Sequence, residues 1–278
     1  MAFSSVSTKA CSSSGSSGKG SFSVLGRVSV FTIFSSTLSV FFFGDSPQEM
    51  HTMSNNVVKS DGLNSMKFDE FSQLALKIKN LPLPGEASHY KMSPELRIQW
   101  LKAHKIEDFQ PKRAGVMALF YPDDGNETRL LLILRKVYEG IHSNQIGFPG
   151  GKVEQGDKDL LHTALRETHE EVGVPPHAVE VIRELSEVYI PPSNFLVRPF
   201  MGMYPDPRPF VKEESEVERI VEVFLKDFLD DSNHIEEILS TSYAKNINVP
   251  AYKLNGYTVW GATAMMLSEI KELLLEAF

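Results

Sequence analysis

Apolar residues first fall into helical spacing in FDEFSQLALKIKNL, which predicts a helix over Phe68–Lys79. A second helical pattern covers Ser93–His104, with Ser93-Pro94-Glu95 supplying a cap and a first-turn proline. Between them, Leu81–Met92 reads as a Pro/Gly loop. Continuous apolar runs then replace the helical period. Ala114–Tyr121 and Leu130–Leu134 read as strands, split by the turn signal Pro122-Asp123-Asp124-Gly125-Asn126. Further strands are expected over Val179–Tyr189, Phe195–Met203 and Ile220–Phe224, the last followed by a short acidic helix or loop. Ala251–Leu254 and Tyr257–Trp260 flank Asn255-Gly256, a strong hairpin signal, and Gly261 opens a terminal helix with a broad apolar face. Strands and helices alternating in irregular order predict an α/β sandwich around a mixed sheet.

The first 65 residues follow none of these patterns. Up to Phe43 they are serine-rich, carry Lys9, Lys19 and Arg27, and contain no Asp or Glu. Val28–Phe43 is largely apolar but shorter than the roughly 20 residues a spanning helix needs. The stretch suits an organelle-targeting segment, or translation begins later, near Met66, and the protein is cytoplasmic. A membrane anchor rests on Val28–Phe43 alone, and the folded part has no need of a membrane. The expected organisation is an extension over 1–65, a helical segment over 66–110 and one catalytic domain over 111–278.

Charge and cysteine narrow the chemistry. In 278 residues the net charge is −8, which argues against nucleic acid as a partner, since phosphate backbones are held by excess Lys and Arg. The single cysteine, Cys11, excludes an intrachain disulfide and a thiol nucleophile in the folded part. Small phosphate compounds remain open, provided that metal ions supply positive charge.

The segment that supplies it is Gly151–Val174, GKVEQGDKDLLHTALRETHEEVGV. On a helix, Glu167, Glu170 and Glu171 share an arc of roughly 100°, and their mutual repulsion suits a hard divalent cation with oxygen preference. Leu161, Ala164, Leu165, Thr168 and Val172 fall on the other side and form a core stripe. His169 points away from the acids. Gly150-Gly151, following Phe148-Pro149, lets the backbone turn tightly beside a ligand.

This segment resembles the signature of the Nudix hydrolases, Gly-x5-Glu-x7-Arg-Glu-U-x-Glu-Glu-x-Gly-U, where U is apolar. Gly151, Arg166, Glu167, Glu170, Glu171, Gly173 and Val174 match. Asp157 stands for the first Glu, Thr168 for an apolar residue, and one extra residue separates Asp157 from Arg166. These departures resemble the coenzyme A pyrophosphatase branch, as do Leu131, Leu132, Arg135 and Phe148-Pro149-Gly150-Gly151 upstream. Gly140 and Asn144 replace an Arg and a Gly of that pattern, leaving Lys136, Lys152 or Arg198 to stand in for the lost guanidinium.

The resemblance implies a Nudix-type α/β/α sandwich and hydrolysis of a small-molecule diphosphate with Mg²⁺ or Mn²⁺. Glu167, Glu170 and Glu171 would hold metal, and Arg166 would keep the acids in register. Glu170 is one candidate for the base; Glu216, in an acidic run read as a solvated loop, is another candidate for base or extra ligand. Arg135, His142, Gly150 and Gly151 are the expected substrate contacts. Coenzyme A or its thioesters would be the substrate, with ADP-ribose, dinucleotides or nucleoside triphosphates as alternatives. A non-catalytic nucleotide-binding module is the competing class.

Overall fold

The computed structural model of the protein describes residues 66–136, 145–240 and 246–278. His142, Gly140, Asn144 and the apolar stretch Val28–Phe43 lie outside the described residues. The central sheet is built on β1 (Lys112–Pro122), whose partners are β2 (Thr128–Arg135), β4 (Gly150–Lys152) and β7 (Phe195–Met203). β3 (Ile146–Gly147) and β8 (Val217–Phe224) add to β2, while β5 (Glu180–Glu184) and β6 (Val188–Ile190) add to β7. The β1–β7 pair is parallel and the others are antiparallel, so the sheet is mixed.

Alternate residues of β1 and β2 serve two different cores. Met117, Leu119, Tyr121, Leu131 and Ile133 pack with Ala164 and Val172 of α4 (Leu160–Val172). Ala118, Phe120, Leu130 and Leu132 face the opposite way, into the cluster shared by α1 (Phe68–Ile78) and α6 (Gly261–Ala277). Strands covered on both faces have no polar side to show, which is why both read as unbroken apolar runs. The result is the expected α/β/α sandwich. The helical segment ahead of β1 is part of its core, because Phe71 of α1 packs tilted against Phe120, with ring centroids 4.7 Å apart.

Two sequence expectations fail, and one strand was not foreseen. The presumed loop Leu81–Met92 contains a six-residue helix, α2 (Glu86–Lys91), held in place from outside: Ser88 and His89 are buried and bond to Ser268 and Glu269 of α6. Val179–Tyr189 is two strands, interrupted where the Ser186 amide turns to Glu269. The stretch after β8 forms the short helix expected, α5 (Leu225–Leu229), but it leads into an edge strand that was not, β9 (His234–Leu239). The pair Glu236-Glu237 hid an alternation that only tertiary pairing with β10 (Ile247–Leu254) reveals. The second helix, α3 (Glu95–Ala103), is capped by Pro94 without a side-chain bond; the Ser93 hydroxyl donates to His89 instead. The Asn255-Gly256 turn joins β10 to β11 (Tyr257–Trp260) as expected, with φ of 49° and 83°.

One irregularity bears directly on function. Opposite the step from Leu134 to Arg135, β8 skips from Arg219 to Val217, leaving Glu218 as a surplus residue. Val221 and Val223 belong to the α6-side core, yet Val217 belongs to the α4-side core. A bulge has changed the face that the strand presents.

Candidate active site

α4 starts where the Asp159 carboxylate accepts the His162 amide at 2.7 Å, and it ends at Gly173. Its acids are not equivalent. The Glu171 side chain is 1% exposed, Glu167 13% and Glu170 54%. Their shared arc does not give them a shared environment: Glu171 lies under the glycine ribbon β4, and only Glu170 is open to water. Thr168 is buried as the stripe requires, its hydroxyl donating to the Ala164 carbonyl at 2.6 Å. His169 is exposed.

Just ahead of β8, Glu216 brings a further carboxylate to α4. Oxygens of Glu167, Glu171 and Glu216 lie within 4.8 Å of one another. Glu216 is anchored through its carbonyl, which accepts the Lys136 amide at 2.9 Å beside the bulge. Its acidic run is thus a solvated loop only in part. Burial pushes Glu171 up to about 7, against the pull of Arg135 and of the Gly150 amide. Burial also raises Glu167, against the pull of Arg166. Taking carboxylates out of water beside one another is unfavourable unless a cation joins them. Three hard oxygen donors converging on one point suit a hard divalent cation.

Arg166 holds this acidic side together. It grips Asp157 through Nε and Nη2, both at 3.0 Å, and reaches Glu167 at 3.0 Å and Glu170 at 2.9 Å. Asp157 also accepts from His162, Thr163 and the Glu154 amide, each at 2.9 Å. The Arg166 guanidinium, with these other donors against a smaller burial cost, holds its carboxyl far below the usual range. This anchoring role was missed in the sequence, although Asp157 is nine residues before Arg166, a separation that spans the helix entry.

Neither glycine of the ribbon can be replaced without a clash. At Gly150, φ is 146° and a Cβ would stand 2.4 Å from the Gly115 carbonyl oxygen. At Gly151 a Cβ would stand 2.4 Å from the Glu167 carboxylate. The Gly150 amide donates to Glu171 at 2.8 Å, so it serves the acid rather than standing ready for a phosphate. Arg135 is likewise engaged, with Glu171 at 2.9 Å and the Gly150 carbonyl at 2.7 Å. Of the stand-ins for the lost guanidinium, Arg198 pairs with Glu184 and Glu187, and Lys136 donates to the Glu214 carbonyl. Lys152 has no carboxylate partner among the described residues.

A cavity of about 510 Å³ opens beside Arg135, Gly150 and Gly151. Its walls are largely apolar, including Phe148, Phe195, Trp260 and Met266, with Lys152 among the lining residues. Such volume and lining suit a small-molecule site. The described lining contains no acid.

A sandwich that sets a glycine ribbon against an Arg-Glu-x-x-Glu-Glu helix defines a class, and comparison with known proteins agrees. A NUDIX domain model matches residues 111–236. Over 164 residues the chain is 34% identical to Nudix hydrolase 15, mitochondrial, of Arabidopsis thaliana, covering 57% of each chain. It is 32% identical to Nudix hydrolase 22, chloroplastic, of the same plant, covering 57% of this chain and 54% of that one. It is 36% identical over 142 residues to the uncharacterized Nudix hydrolase NudL of Salmonella paratyphi B, covering 51% of this chain and 72% of that one. The chain belongs to the Nudix family. It spans little more than half the length of the two plant relatives it matches. Nudix hydrolases typically depend on a divalent metal. Among the described residues no helix is long and apolar enough to cross a membrane.

Proposed function

We propose that this protein is a pyrophosphohydrolase that cleaves a diphosphate linkage in a small molecule with Mg²⁺ or Mn²⁺. The observation that carries the reading is the convergence of Glu167, Glu171 and Glu216 within 4.8 Å beside the Gly150-Gly151 ribbon. Those three hold the ion, and Glu170 adds a carboxylate on the open side, close enough to contribute to the raised pKa of Glu167. A bound ion would neutralise charge developing on the diphosphate and lower the pKa of water. Water attacks one phosphorus, the anhydride P–O bond breaks, and the leaving phosphate departs with the electron pair. Glu170, the exposed acid, accepts the proton from water, while Arg166 keeps it aligned with Glu167.

Coenzyme A or a thioester of it is the proposed substrate, giving 3′,5′-ADP and 4′-phosphopantetheine or its acyl form. Leu131, Leu132, Arg135 and Phe148-Pro149-Gly150-Gly151 support this, as does the largely apolar cavity beside the ribbon. Residues 111–278 form the catalytic domain of this reading, with 66–110 packed on it. The test is product analysis with coenzyme A, ADP-ribose and NADH at equal concentration. Preferential release of 3′,5′-ADP supports the proposal, faster cleavage of another diphosphate rejects the substrate, and cleavage of none rejects the enzyme.

The two plant relatives are named for the mitochondrion and the chloroplast. Together with the basic, acid-free stretch up to Phe43, this favours organelle delivery over a cytoplasmic protein starting near Met66. Imaging fusions that carry or lack residues 1–65 tests it: equal distribution of the two rejects targeting.

A further inference from the structure

Arg135 closes a ring of three hydrogen bonds. Its Nη1 donates to Glu171 Oε1 at 2.9 Å, Glu171 Oε2 accepts the Gly150 amide at 2.8 Å, and the Gly150 carbonyl accepts Arg135 Nη2 at 2.7 Å. The same Nη2 reaches the Phe148 carbonyl at 3.5 Å. One planar fork therefore ties a buried acid of α4 to both polar groups of a ribbon glycine. Arg135 reaches this position at the end of β2, opposite Val217 of β8.

From this geometry we infer that Arg135 is a positioning residue that locks Glu171 and the glycine ribbon into one unit, and does not receive the substrate's phosphate. The inference rests on the metal-dependent reading proposed above. Two arms at fixed separation are needed to hold the acid and the carbonyl together, and a lysine ammonium cannot supply them. Without the fork, Glu171 keeps only the Gly150 amide, and its free oxygen can turn away from Glu167 and Glu216. The phosphate contact expected of Arg135 passes to Lys152, which lines the cavity and has no carboxylate partner among the described residues.

The experiment measures Mn²⁺ affinity of the full chain by electron paramagnetic resonance, with kcat and KM for the best diphosphate substrate alongside. Arg135→Ala, Arg135→Lys and Lys152→Ala are compared with the parent. Both Arg135 variants are expected to bind Mn²⁺ about 10–100-fold more weakly and to lose kcat, the usual effect of removing a group that orients a metal ligand. Lys152→Ala should raise KM and leave Mn²⁺ affinity unchanged. Rescue of affinity by Arg135→Lys overturns the inference, since charge alone would then suffice. Unchanged Mn²⁺ affinity in Arg135→Ala with a raised KM overturns it too, in favour of substrate contact. Should Arg135→Ala not fold, Arg135→Lys carries the test. A parent protein that binds no Mn²⁺ rejects the functional reading itself; a parent that binds it while the variants bind equally well rejects only the role of Arg135.

Discussion

Glu171 on α4 and Glu269 on α6 are both buried glutamates, and they have opposite fates. At Glu269, burial opposes ionisation but is outweighed by His89 at 3.0 Å, the Ser186 hydroxyl at 2.6 Å and the Gly85 amide at 3.3 Å, so its pKa falls below the ordinary value. At Glu171, burial wins over Arg135 and one amide, and neighbouring Glu167 and Glu216 push the same way, up to about 7. One carboxylate has been given enough donors to be a structural fastener. The other has been left short of positive charge beside two more acids. A buried anion whose surroundings fully satisfy it builds the fold, while one whose surroundings do not is a place for a cation.

The comparison can be broken most sharply at Glu171. Glu171→Gln should lose turnover by about 10³-fold or more, because a metal supplies several kcal/mol of transition-state stabilisation and about 1.4 kcal/mol is tenfold. Product release with saturating Mg²⁺ checks this, and a circular dichroism melt should show the fold intact. Glu269→Ala should do the reverse. It leaves His89 and Ser186 unpaired and should cost about 3–5 kcal/mol of stability by urea unfolding, with turnover per folded molecule retained.

A smaller effect is expected at Gly151→Ala, whose methyl group would press on the Glu167 carboxylate. Displacing an active-site group by about 1 Å can cost about 10²-fold, so kcat should fall on that order while the melting temperature moves little. The mildest test is acid. Because the folded-state pKa of Glu269 is depressed, its stabilisation is present above the ordinary value of 4.5 and is lost as pH falls through the folded value. Stability measured from pH 6 downward should decline more steeply in the parent than in Glu269→Gln. Equal slopes would remove Glu269 from its role as fastener.

Most of the fold was legible in the sequence because its strongest elements are periodic or continuous. β1, β2 and β7 carry runs of apolar residues that no surface segment would, and α4 carries a stripe beside a run of acids. What escaped depends on distant partners. Nothing in EASHYK announces a helix until Glu269 is brought to His89 from 180 residues away. The edge strand β9 is short and acidic, and only pairing with β10 defines it. Within the site, matching to the signature singled out Glu167, Glu171 and Arg166. It could not rank their burial, and so gave no hint that Glu171 lies beneath the ribbon. The tie between Arg135 and Glu171 joins residues 36 apart through a loop and a helix. Glu216 was harder still, because it lies in an acidic run ahead of β8, and only the pairing of β8 with β2 sets where that run stands.

That bulge in β8 works as a change of parity. A strand assigns odd and even residues to opposite faces, and a surplus Glu218 lets Val217 face the α4 side although Val221 and Val223 face the other. The surplus residue also draws the preceding chain one step along β2, which sets the Glu216 carbonyl against the Lys136 amide beside the site.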